Sequence, residues 1–271
     1  MKTTTFSIIL LMILFLGCSN SEKGVNQINE KIEQDTLYDI LRGELVHETE
    51  DTLWFEPFEK KTPKVRHIFK KGKDYIFQAT YKDRNGKILS NSKISIIPSG
   101  ERISFAPERQ DRVTYIYENY QEDSIKLVNH KLNPKYQNWV NKAEEGIIEN
   151  IEKVWIHPMR QNQYKFTEVS PFPEIELPIE IGKEWESTLN ISNAFGEWAN
   201  TSGVSEYKII GRDSFYFQNN KIECWKIESK SKFPFGTSFL NYKFNKDYGF
   251  VELNYQNYFE ENLVVKLVGI E

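Results

Sequence analysis

Cysteine is scarce in this sequence: among 271 residues only Cys18 and Cys224 carry a thiol. Two cysteines exclude a disulfide framework. Histidine (4) and methionine (3) are also few, and no Cys/His spacing completes a zinc site. His47 and Asp51 fall on one face of a strand-like stretch, but two ligands do not hold a metal. No apolar run reaches the ~20 residues that a membrane-crossing helix requires. A basic excess is missing as well. Lys plus Arg total 35 against 39 Asp plus Glu, a net charge of −4, so the chain lacks the positive face that nucleic-acid phosphates demand. There is no Gly-x-Ser-x-Gly elbow and no phosphate-binding glycine loop. Two Ser-x-x-Lys matches, Ser90–Lys93 and Ser229–Lys232, lie in strand-like sequence without a Lys-Thr-Gly partner. The expectation is therefore no catalytic constellation, no metal and no cofactor.

What the chain does have is aromatic bulk, 14% Phe, Tyr and Trp, which favours strands and supplies a core. Tyr75–Tyr81 alternates, with Phe77, Ala79 and Tyr81 on one face. Asp83-Arg84-Asn85-Gly86 then leads into Ile88–Ile97, and Asn-Gly between two such runs predicts a hairpin with a type I′ turn. Arg112–Tyr117 and Ser124–Val128 read as further strands. Asn133 and Pro134 open a predicted helix that Gly146 would stop, with a strand through Gln137–Val140 as the alternative. Ser170–Pro178 is extended by its prolines and cannot be a central strand. After it comes a meander with strands near Val204–Ile210, Ile222–Lys230, Ser238–Phe244, Phe250–Tyr255 and Leu263–Ile270. The short connections between them require antiparallel neighbours. The predicted fold is mainly β, an antiparallel curved sheet or half-barrel with at most one or two short helices.

The N-terminus predicts location. Lys2 precedes an apolar stretch, Phe6–Leu16, too short to span a bilayer and of signal-peptide length. It ends in Phe15-Leu16-Gly17-Cys18, which resembles the lipobox of bacterial lipoproteins, with Phe15 where Leu is usual. The resemblance implies removal of residues 1–17, a diacylglycerol on Cys18 and membrane attachment through that lipid. Ser19 in place of Asp implies the outer membrane by likeness to proteobacterial sorting. Asn20-Ser21-Glu22-Lys23 carries one acid and one base, which implies the periplasm-facing leaflet, with the cell surface as the alternative. Residues 18–35 read as a polar tether of about 23 Å if flexible. Residues 36–271 read as one β-rich envelope domain, divisible into two lobes near 160–180. Cys224, then unpaired, is expected to be a buried structural thiol.

Further along, Pro178…Gly182-Lys183-Glu184-Trp185, Tyr207–Gly211, Cys224–Glu228 and Tyr248–Val251 resemble the C-terminal half of uncharacterised envelope proteins of Gram-negative bacteria. Those proteins carry a curved sheet akin to the half-barrel of periplasmic lipoprotein carriers. Val154–Arg160 and Pro171–Ile175 resemble uncharacterised Bacteroidota-type lipoproteins. This likeness covers about the last 120 residues. It implies a fold and a location but no catalytic residues.

Three groups of residues are candidate contacts. Lys60, Lys61, Lys64, Arg66, Lys70, Lys71 and Lys73 form a run without an acid, either facing anionic headgroups or simply solvated about a Lys71-Gly72-Lys73 turn. His157 and Arg160 are candidates for an anion site with Glu168 or Glu174; alternatively His157 is hydrogen-bonded at a strand end. Trp185, Phe195 and Trp198 are either a sugar platform or core aromatics. Function reads as a non-catalytic, membrane-anchored lipoprotein that binds an apolar or amphiphilic ligand or an envelope partner protein. The alternatives are a purely structural component and a glycan-acting hydrolase. A side-chain-filled sheet favours the structural reading, and a cleft with facing carboxylates favours the hydrolase.

Overall fold

The computed structural model describes residues 68–103, 110–130, 139–149, 152–191 and 193–271. Cys18, the tether, His47, Asp51 and the basic residues at 60–66 lie outside them. Among the described residues, twelve strands form one antiparallel sheet: β1 (Tyr75–Lys82), β2 (Ile88–Ile103), β3 (Gln110–Tyr117), β4 (Lys142–Glu149), β5 (Lys153–Ile156), β6 (Glu174–Glu176), β7 (Glu184–Asn190), β8 (Ser202–Phe217), β9 (Asn220–Phe233), β10 (Gly236–Asn245), β11 (Gly249–Gln256) and β12 (Asn262–Ile270). The order across the sheet is β6-β5-β4-β3-β2-β1-β12-β11-β10-β9-β8-β7. Sheet neighbours are therefore chain neighbours, apart from one junction that pairs β1 with β12, Tyr75 opposite Ile270 and Lys82 opposite Asn262.

This order explains why the sheet rolls up further than the expected half-barrel. β6 and β7 are consecutive in the chain yet lie at opposite edges. Laid flat, twelve strands would set those edges about 50 Å apart at ~4.8 Å per strand. The link of residues 177–183 reaches only about 25 Å when fully extended. The edges must come together, and the sheet becomes a nearly closed barrel. Side chains fasten the seam. The Phe172 amide donates to the Tyr207 hydroxyl at 3.2 Å, the Tyr242 hydroxyl donates to the Glu174 carbonyl, and Lys183 Nζ donates to the Leu177 carbonyl at 2.8 Å. β6 is an edge strand, as its flanking prolines require.

The hairpins follow local chemistry. Between β1 and β2 the turn is not type I′. Gly86 has φ +83° while Asn85 does not enter the positive region, and the Gly86 amide bonds the Asp83 carbonyl at 2.9 Å. This is a three-residue loop with the glycine in the left-handed position. The Asp83 carboxylate accepts from the Asn85 and Lys87 amides and so selects this loop. The two-residue type I′ geometry occurs instead at Gln218-Asn219, both at positive φ, between β8 and β9.

Two other expectations are corrected. Ser124–Val128 is not a strand. Helix α1 spans Tyr120–Lys126 and buries Asp123 while leaving Ile125 and Val128 exposed. The predicted helix ending at Gly146 is replaced by strand β4; its N-cap residues lie outside the described residues. Gly146 falls inside β4 because a Cβ there would lie 2.0 Å from the Gln110 amide oxygen; the glycine makes room for a neighbouring side chain.

Candidate functional site

Strand alternation divides most wall residues between lumen and solvent. The lumen is not empty. After β5 the chain turns inward, and residues 157–173, with a 3₁₀ helix at Asn162–Val169, pass through the barrel before β6. Tyr164, Phe166, Thr167 and Val169 are at most 1% exposed. Phe166 stacks on Tyr81 (centroids 5.5 Å) and meets Tyr255 edge-on, while Tyr164 stacks on Tyr117 (5.9 Å). Aromatic rings on the segment and on the wall thus fill one another's space. One apolar space beside it, among Phe77, Tyr115, Met159 and Leu253, holds about 10 Å³, room for a single water at most.

Polar groups pin this plug. Arg160 Nε donates to Glu145 on β4 at 2.9 Å, and Nη1 reaches Glu168 at 3.4 Å. His157 Nδ1 lies 3.4 Å from Glu145 and Nε2 3.7 Å from Glu168. Burial, reinforced by the Arg160 charge, lowers the His157 pKa to about 3, so the imidazole is neutral at physiological pH. Burial raises Glu168 to about 7 against the pull of Arg160, and raises Glu145 against the same guanidinium. Burial alone would lower Arg160, but the two carboxylates outweigh it and leave its pKa raised. One cation thus serves two carboxylates, with no positive charge left for an anion. The two carboxylates do face each other, but the guanidinium stands between them, and both side chains are at least nine-tenths buried. The cluster joins wall to plug.

Two more polar clusters lie at the α1 end, of which the first joins wall to plug and the second ties β1 to the β11–β12 turn and to His130. Asp123 accepts from Ser92 of β2 and, at 2.7 Å, from Gln163 of the plug. Glu261 accepts from the Tyr81 hydroxyl at 2.6 Å and from Asn257 at 3.0 Å, and it lies 2.9 Å from His130 Nε2. Burial would raise Glu261, but these three hydrogen bonds together lower it. Among the described residues, no group of three His, Cys, Asp or Glu side chains could hold a metal ion.

The outer wall has two adjoining grooves, of about 690 Å³ over β7–β10 and about 520 Å³ over β10–β12 and the end of β1. They share Phe239 and Asn241. In register across the wall, one row reads Glu186, Glu206, Lys230, Phe239, Gln256, Asn262, and the next reads Glu184, Lys208, Glu228, Asn241, Asn254, Val264. The β7–β9 part is charged and largely self-neutralised, with Glu184–Lys208 at 2.7 Å and Glu206 held by both Lys230 (2.8 Å) and Lys232 (2.6 Å). From β10 to β12 both rows are uncharged, and the first continues into Lys82 on β1.

No protein-family model matches this chain, and no curated protein does. Solved structures give loose likenesses. A candidate lipoprotein of Parabacteroides distasonis is similar over 75% of this chain and 96% of its own, with 10% identity and a TM-score of 0.42. A candidate exported protein of Bacteroides fragilis with a YmcC-like fold covers 74% and 96%, at 8% identity and TM-score 0.40. The hypothetical lipoprotein YmcC of Escherichia coli covers 85% and 95%, at 7% identity and TM-score 0.31. At such scores the likeness assigns neither site nor activity.

The remaining candidate residues disperse. Lys70, Lys71 and Lys73 are exposed about a turn in which the Lys73 amide bonds the Lys70 carbonyl and Gly72 has φ +75°. Trp185 is buried and stacks on Tyr207 with centroids 5.0 Å apart. Trp198 is buried, donates its indole N–H to the Tyr258 hydroxyl at 2.9 Å, and carries Lys165 of the plug over its ring. Both tryptophans serve the core; the Phe195 side chain lies outside the described residues. Cys224 is 1% exposed, and burial raises its pKa to about 12, so the thiol is inert. Sequence reasoning brought His157, Arg160 and Glu168 together but missed Glu145, whose strand had been read as helix. The neutral rows of the outer wall were also missed. Their amides are spread over three strands, and only the register aligns them.

Proposed function

We propose that this chain is a lipid-anchored, non-catalytic envelope protein whose barrel works through its outer wall and not by carrying a ligand inside. The observation that carries this reading is the occupied lumen: residues 157–173 take up the volume that an acyl chain would need. A carrier of this shape would leave a cavity of several hundred Å³, whereas the apolar space beside the plug among Phe77, Tyr115, Met159 and Leu253 holds about 10 Å³. The anchor rests on the Leu16-Gly17-Cys18 ending. Native mass spectrometry of the full-length protein from its own host tests the first part. The expected result is a protein free of amphiphile, and a stoichiometric acyl ligand would overturn the reading. Labelled palmitate tests the anchor: incorporation is expected in the parent protein and not in Cys18→Ala, and equal label in both would defeat the assignment.

A further inference from the structure

We infer that the uncharged rows over β10–β12 are a binding site for a neutral polysaccharide; this rests on the outer-wall reading above. The groove there, about 520 Å³, has the size of a small-ligand site. Phe239 is 40% exposed and offers a ring to the C–H face of a sugar. Around it stand four amides, Asn241, Asn254, Gln256 and Asn262. An amide both donates and accepts, as does a sugar hydroxyl. Asn254 and Asn262 each keep one N–H bond to the protein, to Glu252 at 2.9 Å and to the Glu260 carbonyl at 3.3 Å. No hydrogen bond within the described protein engages the Asn241 or Gln256 side chains, so both amides are open to a ligand. Three strand spacings, from β10 to β1, give the window a width of about 14 Å, enough for more than one sugar ring.

The surroundings narrow the ligand class. The next outward row toward the other end of the barrel is charged again, Lys226, Lys243, Glu252 and Lys266, and the β7–β9 side is charged too. The window is thus a neutral gap in a charged wall, with Lys82 at its rim. An anionic chain would be met by clustered Arg or Lys in charge-assisted pairs, and the window has none. An acyl chain needs continuous apolar area, and only Phe239 and Val264 supply it. An added peptide strand needs a free sheet edge, and β10–β12 are paired on both sides.

The test is affinity electrophoresis of the full chain in mild detergent, in gels cast with dextran, yeast mannan, galactomannan or alginate. Retardation by at least one of the three neutral polysaccharides is expected. Phe239→Ala and Asn241→Asp should each weaken it about tenfold or more. Both side chains are exposed, so both variants should fold, as a parent-like circular dichroism spectrum would verify. No retardation by any neutral polysaccharide overturns the inference, as does retardation by alginate alone, or binding that survives both substitutions. A failure here with an amphiphile-free protein in native mass spectrometry leaves the outer-wall reading standing; an amphiphile in the lumen defeats that reading separately.

Discussion

The two halves of the sheet are built from the same kind of strand but divide the labour. From β7 onward the chain is a meander of 7- to 16-residue strands joined mostly by tight turns. From β1 to β6 it leaves the sheet at residues 118–130 with α1 and at residues 157–173 through the lumen. The C-terminal half is container, and the N-terminal half supplies part of the wall and the contents. A barrel of this size leaves more interior than its own wall side chains can fill, so one excursion became the core. Polar residues such as Asn162, Gln163 and Glu168 can be buried in that core because the wall brings partners to them.

Removing contents should therefore cost more than trimming the wall. Phe166→Ala deletes a fully buried ring between Tyr81 and Tyr255 and should lower stability by about 3–5 kcal/mol. Urea denaturation would measure it. A loss under 1 kcal/mol would mean that the plug is not packed as described.

The second test concerns the pin between plug and wall. Glu168 is raised to about 7 from 4.5. Its proton-linked stabilisation is complete below pH 4.5 and is lost as pH rises through 7, an effect on the order of 3 kcal/mol. His157, lowered to about 3 from 6.5, works oppositely: its contribution is present above pH 6.5 and is lost as pH falls toward 3. The two slopes offset each other between 4.5 and 6.5, so Glu168 shows itself above 6.5. Glu168→Gln should flatten the loss of stability between pH 6.5 and 8 in denaturation series. Parallel curves for parent and variant would remove Glu168 from this role.

The smallest effect belongs to the container's outside. Lys232→Ala breaks a 2.6 Å contact with Glu206, but Lys230 still holds the same carboxylate and all three groups are solvated. No measurable change in the denaturation midpoint is expected. A clear drop would show that the charged wall stabilises the barrel and is not merely solvated surface.

The same division decided what could be read from sequence. The meander was legible because period-two alternation and turn residues are local signals, and each of its five expected strands lies within an observed one. The excursions were not, because their conformation answers to distant groups. Ser124–Val128 has the alternation of a strand, yet α1 forms where Asp123 can reach Ser92 and Gln163, 31 and 40 residues away. Gly146 has the look of a helix stop, yet it serves Gln110 on a neighbouring strand. Glu168 was matched with His157 and Arg160 because the three are close in sequence, while Glu145 was reachable only through the β3–β4–β5 pairing. The amide window follows the same rule: nothing in any single strand marks it.

The pairing of β1 with β12 has a consequence for how the chain comes to be folded. Asp74 and Glu271 exchange backbone hydrogen bonds at 3.0 and 3.1 Å, so the partner of β1 emerges only after the ten other strands described. Until residues 262–270 arrive, one edge of β1 has no native neighbour, and an unpaired edge is a template for the wrong one. The ring cannot close from one end as the chain is delivered; it must wait, then close over a sequence separation of nearly the whole described chain, a slow kind of contact to form. A protein built this way should depend on holding factors during delivery, and deleting β12 should be felt first at β1.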